Sequence, residues 1–125
     1  MQKRRAPATP VTDFLPLTPA NAHILLALAD AELHGYAIMQ EVERFTDGHT
    51  RMGPGTLYGT IKRLLAGGLI EEADERPDPV LDDERRKYYR ITRLGLRVLK
   101  AETARMSALL GAARAKKVFP RPKRA

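Results

Sequence analysis

The sequence predicts a mainly α-helical domain with one small β-hairpin and a long terminal helix. Three observations lead there. From Thr18 onward, stretches with apolar residues at helical spacing follow one another, each bounded by Pro, Gly or Thr. Only LIEEADE and KYYRIT favour strand, and the loop between them, RPDPVLDDERR, holds two Pro and blocks of charge. After Thr92 the apolar positions step by three and four to about Lys117, the longest periodic stretch in the chain.

Residues 1–17 contain three Pro and little periodicity, and read as a basic, flexible arm. Thr18 and Pro19 suit the cap and the first position of a helix. The helix that follows, NAHILLALADAE, is apolar on nearly every side, so a second subunit is expected to help cover it. Leu33-His34-Gly35 breaks the pattern, and His34 is expected to bond backbone at that turn. GYAIMQEVERFTDG then forms a second helix with Ile38, Val42 and Phe45 inward, and Asp47-Gly48 ends it. Pro54 opens a third helix in which Leu57, Ile61, Leu64 and Leu65 make one buried stripe, and Gly67-Gly68 stop it. The two strands pair as a hairpin, with Tyr89 in the core. In the terminal helix Leu96, Leu99, Thr103, Met106, Leu110 and Ala113 form a heptad seam, the pattern of helix-to-helix pairing. With Ile24 and Leu28 of the first helix, these residues are the expected homodimer interface.

Composition narrows the function. At 125 residues the chain is one domain, and 43% apolar with 30% charged residues fits a soluble globular protein. No Cys is present, which excludes disulfides, thiolate metal sites and Cys nucleophiles. The three His, at 23, 34 and 49, include no pair at helical ligand spacing, so neither a metal nor another cofactor is expected. There is no Gly-rich phosphate loop, nucleophile elbow or apolar carboxylate pair, so an enzyme is not expected. The longest apolar run, Ile24 to Ala29, is too short for a membrane span. The basic start lacks the apolar segment of a signal peptide, and the cytoplasm is the expected compartment. The net charge of +7 sits on the two ends and the last helix, which suggests a polyanion partner.

The third helix sharpens this. No Asp or Glu occurs from Gly48 to Ile70. The side away from the apolar stripe carries Thr56, Gly59, Thr60 and Arg63, with Tyr58 and Lys62 at its edges. Three helices, a basic-flanked hairpin and a long helix make the winged helix-turn-helix order. That order places the third helix in the DNA major groove and the hairpin on the neighbouring backbone. The expected divisions are an arm over 1–17, a winged-helix DNA-binding domain over 18–91, a dimerisation helix over 92–117 and a basic tail over 118–125.

The stretches HGYAIMQEV, GTLYGTIKRLLAGGLIEE and RKYYRITRLG, in that order, resemble the PadR family of bacterial winged-helix transcriptional regulators. The resemblance runs from about Leu17 to the end of the last helix and points to the shorter branch with a single C-terminal helix. It implies a homodimer built through that helix with help from the first, acting on an inverted-repeat operator, usually as a repressor. In some members a small molecule relieves repression. The chain departs from the pattern in its acidic wing front, its basic arm and tail, and its lack of Trp.

Within this frame the acid-free face has a mechanism. Short residues let the backbone approach the groove, and hydroxyls and cations meet phosphates and base edges. Thr56, Tyr58, Gly59, Thr60, Lys62 and Arg63 are the expected DNA contacts on the helix, and Arg85, Arg86 and Lys87 those on the wing. An effector is expected to be small and hydrophobic, in a pocket lined by Leu15, Ile24, Leu99 and Met106. The competing reading is a winged helix that binds a protein or RNA through the same surface.

Arm and tail lead to the first prediction. Lys3, Arg4, Arg5, Lys116, Lys117, Arg121, Lys123 and Arg124 lie in Pro-containing segments that cannot build a core. Each phosphate they neutralise adds about 0.9 to the log–log salt slope of binding. Deleting residues 116–125 is expected to flatten that slope and weaken operator and random DNA by a similar factor. An unchanged slope makes the tail a solubilising end.

Overall fold

Capping side chains start three of the four α-helices. In the computed structural model, which describes residues 10–74, 76–77 and 85–120 (backbone only at 76, 77 and 85), Thr18 accepts the Asn21 amide at 3.2 Å and opens α1, Pro19–Ala27. His34 Nδ1 accepts the Ala37 amide at 3.1 Å and opens α2, Gly35–Phe45. Thr92 accepts the Gly95 amide at 3.0 Å and opens α4, Arg93–Ala115. Only α3, Pro54–Ala66, begins at a residue without a capping side chain, Gly53. Asp47 and Gly48, at φ 50 and 75, close α2 in the left-handed region, as the Asp-Gly signal implies.

α1 lies at the centre and packs against α2, α3 and α4. Ile24, Leu25, Ile38, Val42, Leu57 and Val98 are fully buried where these helices meet. The expected hairpin forms the base of a three-stranded antiparallel sheet. β5, Tyr88–Ile91, is flanked by β2, Ile70–Glu72, and by a short strand that sequence periodicity missed, β1, Leu33–His34. β1 is only two residues long and leads straight into a helix, so it has no period to detect. Leu33 pairs with Tyr89, and Ile70 with Ile91. Arg90 of β5 reaches Glu71 at 2.8 Å and Glu32 at 3.6 Å, bridging toward both neighbours. β3, Arg76–Pro77, and β4, Arg85–Arg86, extend the wing, and residues 78–84 at its tip lie outside the described residues.

Two expectations change. The boundary of the arm moves, because Val11–Phe14 form a 3-10 turn on α4. Val11, Phe14 and Leu15 pack on the core and Leu17 enters it. Four apolar residues within seven positions are too few to show a period, yet enough to dock. Residues 1–9 lie outside the described residues. Leu26 of α1 is 46% exposed in the single chain, leaving one side of that helix for the second subunit the sequence reading expects. Ile24 and Leu28 are only 0% and 2% exposed within the single chain, so both belong to its own core and cannot form a dimer interface.

Two contacts fix α4 to the rest. Glu102 is 1% exposed, and its carboxylate accepts the Leu17 amide at 2.8 Å and Arg105 Nε at 2.5 Å. The hydrogen bond from Arg105 holds this carboxyl below the ordinary glutamate range; the Leu17 amide adds to the effect, and burial opposes it. At the start of α4, Thr92 donates its amide to Leu69 O at 3.0 Å and its hydroxyl to Gly68 O at 2.6 Å. A Cβ on Gly95 would fall 2.0 Å from Leu69 O.

Gly95→Ala therefore meets backbone that cannot rotate away, and is expected to cost about 3 kcal/mol, the upper end of overpacking, in urea unfolding. Glu102→Gln tests the second contact through pH. The folded state binds the Glu102 proton more weakly than the unfolded chain. Its stabilisation is thus fully present above the ordinary glutamate range and lost as pH falls through the folded value. Wild type is expected to exceed the Gln variant by about 1–3 kcal/mol at neutral pH, with the gap closing in acid.

Candidate nucleic-acid interface

α3 turns one face inward and leaves a polar face open. Leu57, Ile61 and Leu64 are buried to within 2%, which holds the helix by its apolar stripe. Outside lie Gly55, Thr56, Tyr58, Lys62 and Arg63, all exposed, with Gly59 half-buried. Among the described residues neither Lys62 nor Arg63 has a carboxylate partner. Their charges stay available to an anion, which accords with the absence of acids from Gly48 to Ile70.

Thr60 departs from its expected place. It is fully buried, and its hydroxyl donates to Thr56 O one turn back at 2.7 Å. Thr60 sits beside Ile61 at the edge of the stripe, and its short side chain is drawn inside by the packing of α3. Its oxygen also accepts Arg63 Nη2 at 3.1 Å. That bond turns the guanidinium back along the helix, where a Cβ on Gly59 would stand 3.7 Å from Arg63 Nη1. Thr60 thus reaches the surface only through Arg63, which it orients.

Tyr58 is 49% exposed, and its ring lies against the bare Cα of Gly35 in the first turn of α2. On the wing, Lys87 is exposed and pairs with Glu72 across the sheet at 3.3 Å. Arg86 is half-buried, and the side chain of Arg85 lies outside the described residues. Tyr88 is buried like Tyr89, its ring edge-on to His34 with centroids 5.3 Å apart.

Sequence reasoning placed Pro54 and Thr56 at the start of α3 but no cleft beside them. A cleft of about 270 Å³ opens there, lined by Pro19, His23, Thr50, Arg51, Gly53 and Thr56 among others. Gly53 brings no capping oxygen to the first-turn amides, so the positive end of the helix faces this cleft. Arg51 at its rim is exposed and pairs with Glu43 at 3.2 Å. The signal in the sequence was a helix opening on Gly-Pro-Gly, with no Ser, Thr, Asn or Asp before it.

A second concavity, about 220 Å³ and almost wholly apolar, lies between α1 and α4. Leu99 and Met106 line it as expected, together with Leu17, Ala22, Leu26 and Glu102. Leu15 and Ile24 do not. Ile24 points to the opposite side of α1, into the core, and Leu15 packs on the core beneath the 3-10 turn. Beyond this groove, every residue from Thr103 to Ala112 is exposed. Met106, Leu109 and Leu110 are 43%, 63% and 39% exposed along that stretch, while Leu96 and Ala113 are half-buried. Leu109 stands outside the heptad seam and was not anticipated. No group of His, Cys, Asp and Glu suited to a metal occurs among the described residues, and none of their helices is long and apolar enough to cross a membrane.

Comparison with known proteins agrees with this geometry. A model of the transcriptional regulator PadR-like family matches residues 24–101. The transcriptional regulator Rv3488 of Mycobacterium tuberculosis is 39% identical over 87 residues, covering 70% of this chain and 75% of that protein. An uncharacterized 37.1 kDa protein in a transposon of Streptomyces fradiae is 39% identical over 88 residues, covering 70% of this chain but only 23% of that protein. A PadR-like transcriptional regulator of Bacillus cereus shares the fold, with a TM-score of 0.65 at 20% identity over 80% of this chain and 92% of that one. With its winged helix, its acid-free third helix and a family match over most of the folded body, the chain belongs to the PadR-like family of transcriptional regulators, proteins that bind DNA and are not enzymes.

Proposed function

We propose that the chain acts in the cytoplasm as a homodimeric repressor on an inverted-repeat operator, with α3 of each subunit in the major groove and the wing on the adjacent backbone. The observation that carries the DNA contact is the exposed face of α3. It presents Thr56, Tyr58, Lys62 and Arg63 with no acid on the helix to repel phosphate. The second copy is supported by the free half of α4. Apolar side chains so exposed along one helix favour a packing partner, and Met106, Leu109 and Leu110 are 43%, 63% and 39% exposed in their own chain. The effector in this reading is a small, hydrophobic compound in the groove between α1 and α4. The supporting feature is a concavity that is apolar except for Glu102 at its floor and Thr103 and His23 at its rim. That groove adjoins the free half of α4, so an occupant there would alter how two subunits meet.

One experiment tests dimer and operator together. Sedimentation at micromolar concentration is expected to give twice the 14.0 kDa chain mass. On an operator selected from random duplexes, footprinting is expected to show two related half-sites one helical turn, about 34 Å, apart. Leu110→Glu leaves the monomer fold intact, because Leu110 is 39% exposed there, but places a carboxylate in the pairing face. It is expected to sediment as a monomer and to lose paired protection. A wild-type monomer, or a single unpaired half-site, defeats the reading. Binding that duplex DNA fails to compete favours a protein or RNA partner instead.

A further inference from the structure

Gly35 opens α2 at a φ that any residue can adopt, so backbone freedom does not explain a glycine here. Its surroundings do. A Cβ at this position would fall 2.5 Å from Tyr58 Oη, 2.9 Å from Cζ and 3.0 Å from Cε1. The nearest atoms all belong to one side chain, and that side chain is the aromatic residue of the DNA-reading helix. The contrast with Gly95 is instructive. There the obstacle is the backbone oxygen of Leu69, which cannot move, whereas at Gly35 it is the far end of a side chain that can swing away.

Two helices meet at this point: Tyr58 comes from α3 and Gly35 from the first turn of α2. Tyr58 is turned toward the start of α2. Its ring remains 49% exposed, and its hydroxyl stands at the positive end of α2.

We propose that Gly35 is a positioning residue for DNA binding: its bare Cα seats the Tyr58 ring so that the hydroxyl, beside the start of α2, donates to a duplex phosphate. Tyr58 is then a backbone contact that sets the angle of α3 in the groove, and base reading falls to other residues of α3. This rests on the DNA-binding reading above and adds to it a residue that is buried and touches no DNA.

The test is a double-mutant cycle on the full chain, with affinities measured for a selected operator and for random duplex, and melting temperatures as a folding control. Tyr58→Phe keeps the ring and removes the hydroxyl. It is expected to weaken both duplexes by about tenfold, since a phosphate contact carries no sequence information. Gly35→Ala, by displacing the ring, is expected to do the same. The double variant Gly35→Ala with Tyr58→Ala leaves nothing for the new methyl to meet. It is expected to fold and to bind as Tyr58→Ala alone does, so the two losses do not multiply. Losses that multiply overturn the proposal, as does wild-type affinity in either Gly35→Ala or Tyr58→Phe. Loss on the operator alone overturns it too, by making Tyr58 a base reader. If Gly35→Ala fails to fold, the comparison of the double variant with Tyr58→Ala still decides. A wild-type chain that binds no duplex removes the DNA reading itself, an outcome distinct from all of these.

Discussion

The junction between α3 and α4 is the constraint on which the rest depends. Gly68, at φ 76, turns the chain off the end of α3. Leu69 then offers its carbonyl to the Thr92 amide, and Gly68 offers its own to the Thr92 hydroxyl. The same hydroxyl oxygen caps α4 through the Gly95 amide. One threonine thus ends the wing, starts the long helix and ties both to the end of the DNA-reading helix. Gly95 lets α4 come down onto Leu69 O. At this end the angle between α3 and α4 is set by hydrogen bonds within a few residues of the junction.

The far side of α4 is held differently. Glu102 is a buried carboxylate that accepts the Leu17 amide, and so draws the segment before α1 onto α4. A buried charge of this kind is tolerated because Arg105 and a backbone donor satisfy it. It also forms part of the wall of the apolar groove. The elements that would touch a ligand there are the same ones that carry α4 away from the body. The groove therefore lies between the packed body of the chain and the part of α4 that stands exposed.

The exposed face of α3 carries two long side chains held against helices. Thr60 holds the Arg63 guanidinium back along α3, and the bare Cα of Gly35 admits the Tyr58 ring. In both cases a long polar side chain lies along a helix instead of projecting freely, so less conformational entropy remains to be lost when it meets an anion. The open first turn of α3, without a capping side chain at Gly53, adds backbone donors to the same surface.

Much of the fold was legible in the sequence because its signals are local. Thr18-Pro19, Asp47-Gly48 and Thr92 marked helix ends by capping and turn chemistry, and the stripe Leu57, Ile61, Leu64 gave the inward face of α3 by its period alone. The missing acids from Gly48 to Ile70 likewise needed no coordinates to suggest an anionic partner. What failed were judgements of which surface meets which. Ile24 and Leu28 are apolar on an apolar helix, and only the packing of α2 and α3 around α1 turned them into core and left Leu26 outside. Thr60 reads as an outer-face residue by its period, yet it lies fully buried beside the stripe with its hydroxyl on Thr56 O. Leu17 and Glu102 are 85 positions apart, and Gly35 and Tyr58 belong to different helices. Such pairs leave no periodic trace, because a side chain's environment is set by whatever the fold brings across from it, and that is decided only when the helices pack.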